Sequence, residues 1–284
     1  MTTALHTTTL IDELTFPEGP RWRDGKLWFS DFFTHRVMTV DLDGRTETVA
    51  DVPGQPSGLG WTPDGRLLVV SMIDRRLLRL DPAGLTEVAD LSALAPWHCN
   101  DMVVDADGGA WVGNFGFEFT DPDSVKSTVL IRVAADGSAR VVADELYFPN
   151  GMVITPDGRT LVVAETFAAR LTAFDIQADG ALANRREWAA LPGKSPDGIC
   201  LDAEGAIWVA SPPTREVLRV HEGGEISARV VTERHAIACM LGGEDRRTLF
   251  VLTGRVGLKP DEARRQRVGR IERVEVDIPG AGRP

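Results

Sequence analysis

The chain has 284 residues, with 31 lysine and arginine residues against 42 aspartate and glutamate residues, so its formal net charge is −11 at pH 7. This acidic balance, without a basic face interleaved with aromatic residues, argues against nucleic acid as a partner. No apolar stretch is long enough to span a membrane, and the first residues lack the charged and apolar regions of a secretion signal. We therefore expect no membrane partner and a cytoplasmic location.

A short phrase returns along the chain. Four copies carry an oxygen-bearing side chain in second place: Pro17-Glu18-Gly19-Pro20, Cys99-Asn100-Asp101-Met102, Pro149-Asn150-Gly151-Met152 and Pro196-Asp197-Gly198-Ile199. Pro56-Ser57-Gly58-Leu59 lies between the first two copies, and Ala238-Cys239-Met240 follows the last. We name the second residue of each phrase the repeat position; residues 18, 57, 100, 150, 197 and 239 lie 39, 43, 50, 47 and 42 residues apart. This spacing is typical of propeller blades.

Each interval between repeat positions contains the same order of strands and turns. A short apolar stretch leads to a turn at Asp24-Gly25, Asp64-Gly65, Asp107-Gly108, Asp157-Gly158 or Glu204-Gly205. Aspartate before glycine is a strong hairpin signal, because its positive φ angles suit the twist of antiparallel strands. In the first unit the second, third and fourth strands are expected at Lys26–Ser30, Arg36–Asp41 and Thr46–Ala50. Repetition of this unit predicts an all-β, six-bladed β-propeller with four-stranded blades.

The two ends of the chain carry further strand-like segments, Thr8–Leu14 and Gly269–Val276. We expect them to share one blade and to close the ring, because closure leaves no sheet edge exposed. No linker rich in Gly, Ser or Pro interrupts the period, so residues 1–284 are predicted to form a single domain. The basic run Arg264-Arg265-Gln266-Arg267 is interpreted as a solvated loop. These patterns do not specify the oligomeric state.

Strand parity puts the repeat positions and the loops between second and third strands at one face of the disc, which we name the mouth. These loops concentrate apolar side chains, including Phe115, Phe117 and Phe167, whereas the turns at the opposite face are polar. Trp97 lies in another connection at the mouth and either lines a pocket or packs within the loop. An apolar rim over a few polar groups is typical of a small-molecule site.

The oxygen donors at the repeat positions predict a metal site. Glu18 and Asp197 supply carboxylates, and Asn150, with Asn100 as a further candidate, supplies an amide oxygen. Such a hard, all-oxygen set suits Ca²⁺, Mg²⁺ or Mn²⁺ better than soft-ligand metals. Ca²⁺ is the first choice for a single divalent ion, and Zn²⁺ and Fe²⁺ stay open as further alternatives. The competing interpretation is that these residues only form turns. Recurrence at the blade period, and the poor turn-forming tendency of Glu18, favour the metal site.

Three segments spread over nearly the whole chain carry a family resemblance: Phe16-Pro17-Glu18-Gly19-Pro20, Phe148-Pro149-Asn150-Gly151-Met152 and the stretch from Ser195 through Asp197 to Ala210. They closely resemble the regucalcin and gluconolactonase family of six-bladed lactonases. The resemblance implies one divalent cation held by Glu18, Asn150 and Asp197. It also implies that Asp197 is the catalytic acid and base, and that Asn100 contacts the substrate over the metal.

The chain departs from the sugar-lactone members of that family at the mouth. His98 stands where those members have arginine, and Ser211-Pro212-Pro213-Thr214-Arg215 replaces a Tyr-Asn-Gly-Gly-like loop, while Glu118 matches a family glutamate. His98 is either a hydrogen-bonding or acid-base group above the metal or a packed loop residue. The aromatic side chains expected beside it are Trp97, Phe115, Phe117 and Phe167. They favour a lactone or ester less polar than a sugar lactone.

The expected function is therefore metal-dependent hydrolysis of a lactone, in which the cation polarises the ester carbonyl and activates a water molecule. Two alternatives stay open. One is a phosphotriesterase-like or other ester hydrolase that uses the same metal, since fold does not decide function. The other is a noncatalytic calcium-binding propeller.

Overall fold

The computed structural model describes residues 4–118 and 124–283, which fold mainly as β-strands. In chain order the strands are β1 (Ala4–His6), β2 (Thr8–Leu14), β3 (Pro17–Arg23), β4 (Lys26–Asp31), β5 (Arg36–Val40), β6 (Thr46–Asp51), β7 (Pro56–Trp61), β8 (Leu67–Ser71), β9 (Arg76–Asp81), β10 (Gly84–Asp90), β11 (Cys99–Val104), β12 (Ala110–Asn114), β13 (Thr128–Val133), β14 (Ala139–Leu146), β15 (Pro149–Ile154), β16 (Thr160–Glu165), β17 (Arg170–Ile176), β18 (Leu182–Ala190), β19 (Ile199–Leu201), β20 (Ile207–Ser211), β21 (Glu216–Val220), β22 (Ile226–Val231), β23 (His235–Gly242), β24 (Thr248–Gly254) and β25 (Gly269–Glu275). Helical segments are α1 (Pro260–Gln266) and the 3₁₀ turns Phe32–Thr34, Thr166–Ala168 and Pro212–Thr214. Within the described ranges, no helix combines the length and apolar character needed to cross a membrane.

These strands form six sheets arranged as the blades of a propeller, which confirms the predicted fold. Blades one to four are β3–β6, β7–β10, β11–β14 and β15–β18, blade five is built on β19–β22, and blade six combines β23–β25 with β2. Blade five departs from the four-stranded pattern, because β1 pairs in parallel with β22. This fifth strand was not predicted, since its partner lies at the other end of the chain and no hairpin joins them.

The ring closes where the two ends of the chain meet in blade six. Strand β2 pairs antiparallel with β25, in a register that sets Thr8 opposite Arg273 and Leu14 opposite Gly269. The predicted closure is therefore confirmed, although β25 ends at Glu275 rather than at Val276. Because the chain runs from β2 in blade six directly into β3 in blade one, this ladder ties the last blade to the first at the seam.

The core lies between adjacent blades. The inner strands β11 and β15 are buried along their whole length, since a sheet covers each of their faces. The second strands contribute large aromatic side chains at matching places, and Trp111, Trp208 and Phe250 are fully or almost fully buried. The outer strands β6, β10 and β14 carry many exposed residues. Burial on both faces explains why the inner strands read as continuous apolar runs rather than as alternating ones.

The C-terminal tail crosses the face opposite the mouth. Ala203 N–H donates to Pro279 O at 2.8 Å, Ala281 N–H to Leu201 O at 2.9 Å, and Arg283 N–H to Ile154 O at 2.9 Å. The tail thus ties the lower ends of inner strands from blades four and five together.

Two details of the sequence interpretation were wrong. The basic run from Arg264 to Arg267 belongs to helix α1 and its C-cap rather than to a loop, with Pro260 in its first turn. The repeat position of blade six is Ile237, not Cys239. Blade two pairs Pro56 with Ser71 and Leu59 with Val69 on either side of a bulge. Blade six sets Ala236 opposite Thr253 and Cys239 opposite Val251 in the same way, so the counterpart of Ser57 is Ile237.

Candidate functional site

The glycine that follows most repeat positions is required by the close approach of neighbouring inner strands. A Cβ atom added to Gly151 would lie 2.6 Å from Asp197 O, and one added to Gly58 would lie 2.4 Å from Met102 N. The backbones of adjacent blades are therefore in contact at the hub. This contact brings the side chains at the repeat positions toward one axis. The glycines of the repeated phrase therefore permit close packing between blades, and a role in turns alone does not explain them.

Three polar side chains at repeat positions form a hydrogen-bonded row. Asn100 Nδ2 donates to Asn150 Oδ1 at 2.9 Å, and Ser57 Oγ donates to Asn100 Oδ1 at 3.2 Å. Asn150 Nδ2 donates to Thr166 Oγ1 at 3.1 Å, and that hydroxyl donates to Pro196 O beside Asp197. The row links blades two, three, four and five. It also fixes the orientation of the Asn150 amide, since each end has a defined partner.

Two carboxylates at the hub lack full compensation of their charge. Burial raises the pKa of Asp197 to about 8, against an ordinary value of 3.8, while the amide of Asn150 acts in the opposite direction. Burial, and then the charges of Asp197 and Asp101, raise the pKa of Glu18 well above its usual range. Asp197 Oδ1 is buried and has no hydrogen-bond partner among residues 4–118 and 124–283. An unpartnered buried oxygen of this kind is costly.

A third buried carboxylate, Asp101, was missed by the sequence analysis. Its Oδ1 accepts a hydrogen bond from Arg21 Nη2 at 2.7 Å, and both side chains are buried. Arg21 also donates to Leu59 O at 3.0 Å, so its guanidinium is held beneath the hub. Two features of the sequence could have indicated this ion pair. Asp101 stands where the phrases at Glu18, Asn150 and Asp197 carry glycine, and Arg21 lies inside the inner strand β3. This ion pair compensates Asp101 and leaves Glu18 and Asp197 as the open pair.

The donors at the hub fit a hard divalent cation. The two carboxylates would be neutralised by the ion, and the amide oxygens of Asn150 and Asn100 are ligands of the same class. Within the described ranges, no three His, Cys, Asp or Glu side chains are grouped to hold a metal. That grouping is not needed here, because amide oxygens complete the set. The fit rests on the buried, unpartnered Oδ1 of Asp197.

An aromatic wall stands over blades three and four at the mouth. Phe115 stacks on Phe148 with ring centroids 4.4 Å apart, and Phe148 stacks on Phe167 at 5.9 Å. Phe167 is 44% exposed, whereas Phe117 is 3% exposed and packs behind it at 5.3 Å. The wall therefore includes the predicted phenylalanines. Phe148 was not predicted as a mouth residue. It directly precedes Pro149-Asn150, and the sequence analysis assigned that segment to the metal site.

His98 lies beside this wall, two residues before the repeat position Asn100. Its ring stacks on Trp97 with centroids 4.9 Å apart, and the two side chains are half-buried. Burial and the charge of Arg75 lower the pKa of His98, while Glu118, itself exposed, acts in the opposite direction. The neutral imidazole is thus favoured at neutral pH. The structure brings Trp97, His98 and Glu118 together, and their contact with substrate stays a prediction.

A six-bladed propeller with polar donors at its hub, below an aromatic mouth, defines the class of this protein. The chain belongs to the SMP-30/Gluconolactonase/LRE-like family, whose model matches residues 16–255. It is 27% identical over 278 residues to 6-deoxy-6-sulfogluconolactonase from Pseudomonas putida, covering 94% of this chain and 93% of that protein. Among solved structures, a gluconolactonase from Xanthomonas campestris is 27% identical, with a TM-score of 0.75 over 96% of this chain and 88% of that one. Regucalcin from Agrobacterium tumefaciens has a TM-score of 0.83 at 24% identity, covering 100% and 99% of the two chains.

The raised pKa of Asp197 predicts how the stability of the metal-free protein depends on pH. The folded chain holds this proton up to about pH 8, whereas the ordinary pKa is 3.8, so the contribution of Asp197 is present at low pH and is lost as the pH rises through this window. Metal-free Asp197→Asn should melt above the metal-free wild type at pH 8, by about 3 °C or more, since 1 kcal/mol moves Tm by roughly 2–4 °C at this size. At pH 4.5 the gap should shrink.

The measurement is thermal unfolding by circular dichroism after chelation, at both pH values. Saturating Ca²⁺ should raise the Tm of the wild type at pH 8 and have little effect on the variant. A gap that is equal at the two pH values would contradict the assignment.

Proposed function

We propose that this protein is a divalent-metal-dependent lactonase whose substrate is less polar than a sugar lactone. The observation that carries the proposal is the uncompensated pair of buried carboxylates, Glu18 and Asp197, beneath an open aromatic mouth. Membership of a family with relatives named as lactonases supports the hydrolysis of a cyclic ester.

Glu18, Asn150 and Asp197 would hold the cation, with Asn100 beside them. Calcium is the first choice, because two carboxylates and neutral amide oxygens suit its preference for oxygen ligands in flexible geometry. When bound, the cation supplies positive charge that polarises the ester carbonyl and lowers the pKa of water. It also favours the charged form of Asp197.

Asp197 would act as the general base. Its carboxylate takes a proton from the attacking water, the C–O bond of the lactone ring breaks, and the proton passes to the leaving alkoxide. The product is the open-chain hydroxy acid. Asn150 and Thr166 support this role, because Thr166 Oγ1 is bonded both to the Asn150 amide and to Pro196 O, which precedes Asp197.

The residues around the mouth would orient the substrate. Asn100 has one end of its amide bonded to Asn150 and the other to Ser57, so its position over the hub is defined. Phe115 and Phe167 offer apolar surface, and burial of such surface is worth roughly 25 cal/mol per Å². A neutral His98 can donate or accept one hydrogen bond but cannot supply the two parallel donors of an arginine. The mouth is therefore better suited to an apolar substituent than to several sugar hydroxyls.

Metal dependence and substrate class are tested together. Metal-stripped protein should be inactive toward sugar, alkyl-substituted and aryl-substituted lactones. Activity should return on reloading with a single divalent cation, with Ca²⁺ among the effective ions. A panel of phosphotriesters serves as the comparison. Phosphotriester turnover above lactone turnover would favour the other hydrolase, and failure of every ester with every ion would favour a binding protein.

Replacement of Asp197 tests the assignment of the base. Asp197→Asn should keep the fold, because the amide has almost the size of the carboxylate and Asp197 lies just before the inner strand β19, but it should lower kcat by about 10²-fold or more. Asp107→Asn, in an exposed turn at the opposite face, is the matched control and should keep wild-type activity. Initial rates and circular dichroism check both. An Asp197→Asn enzyme with more than about a tenth of wild-type activity would refute the assignment, since general bases usually contribute at least 10²-fold.

Specificity at the mouth is tested at His98. We expect kcat/KM for an alkyl-substituted or aryl-substituted lactone to exceed that for gluconolactone. His98→Arg should shift the ratio toward gluconolactone, because a guanidinium offers two parallel donors to hydroxyl groups. Steady-state kinetics of both enzymes on both substrates give the ratio. A wild-type preference for gluconolactone of tenfold or more would reject the apolar pocket and leave a sugar lactonase.

A further inference from the structure

A second histidine stands on the other side of the mouth from His98. His235 begins β23 and lies two residues before Ile237, as His98 lies two residues before Asn100. Blades three and six are three steps apart in a six-bladed ring, so the two histidines face each other across the hub. The surroundings of His98 are aromatic. His235 instead lies close to two arginines, Arg215 and Arg255.

The imidazole of His235 has a fixed orientation. Val256 N–H donates to its Nδ1 at 3.0 Å, so in the neutral ring the proton sits on Nε2 and can be donated. The residue is half-buried, and burial together with the charges of Arg215 and Arg255 lowers the pKa of His235. The ring is therefore a neutral N–H donor with its acceptor atom already used.

Two arginines flank this donor from neighbouring loops. Arg215 ends the 3₁₀ turn of blade five with a left-handed φ of 55°, and its carbonyl accepts a hydrogen bond from Thr232 N at 3.0 Å. Arg255 directly follows Gly254, which pairs with His235 across blade six. Both loops lie at the mouth, and both arginines are exposed. Both arginines are thus close enough for their charges to act on His235.

Neither cation is matched by an acidic side chain. Across residues 4–118 and 124–283, the guanidinium groups of Arg215 and Arg255 have no hydrogen-bond or ion-pair partner. Two acids close to Arg215 or His235 in sequence are engaged elsewhere. Glu233 pairs with Arg270 at 3.6 Å, and Glu216 pairs with Arg229 at 2.8 Å and with Lys194. The result is a local excess of positive charge on a chain whose net charge is −11.

We propose that Arg215, Arg255 and His235 form a recognition site for a carboxylate substituent on a lactone that otherwise lacks the hydroxyl groups of a sugar lactone, a specificity that rests on the proposed lactonase function. A guanidinium stays charged at any physiological pH and matches the two oxygens of a carboxylate. The imidazole adds a neutral donor from the hub side. The aromatic wall over blades three and four lies across the mouth from this site. The wall would contact the apolar part of the substrate, and the arginines would contact its carboxylate.

The test uses a matched pair of substrates, γ-butyrolactone-γ-carboxylate and the corresponding γ-carboxamide, which differ in charge but hardly in size. Wild-type enzyme with metal should prefer the carboxylate by about tenfold or more in kcat/KM, the factor that corresponds to about 1.4 kcal/mol. The double variant Arg215→Gln/Arg255→Gln should lose most of this preference through KM, with little change on the carboxamide. Arg159→Gln removes an exposed arginine at the opposite face and should change neither.

Each outcome decides a separate point. Hydrolysis of both substrates at equal rates by wild type and double variant overturns the carboxylate site and leaves the lactonase function standing. Failure to hydrolyse either one counts against the lactonase function. In that case, calorimetric binding of 3-oxocyclopentane-1-carboxylate, which has no ester, still decides the site. Its Kd should be about tenfold weaker in the double variant, and an unchanged Kd would overturn the proposal.

Discussion

The contact between inner strands at the hub is the constraint on which the rest of the structure depends. Adjacent blades meet backbone to backbone, closely enough that a Cβ at Gly58 or Gly151 would overlap the next strand. This packing favours glycine after four of the six repeat positions and leaves the repeat positions themselves as the side chains that project at the mouth end of the hub. The pairing of β2 with β25 in blade six closes the ring, because the chain then continues into blade one.

The close packing at the hub creates an electrostatic problem, because Glu18 and Asp101 are buried and Asp197 is half-buried with its Oδ1 shielded from water. Arg21 compensates one of them by pairing with Asp101, with hydrogen bonds that fix its guanidinium beneath the hub. Glu18 and Asp197 have no such partner, and burial raises the pKa of both. Removing charge from water without compensation is unfavourable. The same imbalance that weakens the metal-free fold makes the hub a strong candidate for a divalent cation and for acid-base chemistry.

The residues proposed to select the substrate do not lie at the hub itself but in a ring at the mouth. The residues two places before each repeat position ring the mouth, and they are Phe16, Gln55, His98, Phe148, Ser195 and His235. Their neighbours in the loops make one side aromatic, through Phe115 and Phe167, and the other side cationic, through Arg215 and Arg255. The hub is set by packing and charge, whereas this ring can vary without disturbing the inner strands.

Local patterns in the sequence determined the period, the turns, the six blades, the closing strands and the candidate donors Glu18, Asn150 and Asp197. They could do so because hairpin chemistry and a repeated phrase are properties of neighbouring residues. Tertiary structure alone decided the features that depend on register between distant segments. A bulge shifts the sixth repeat position to Ile237, β1 finds a parallel partner in β22, and Arg21 reaches Asp101 across blades. Such pairings depend on how the blades pack around the ring, which short-range sequence patterns do not encode.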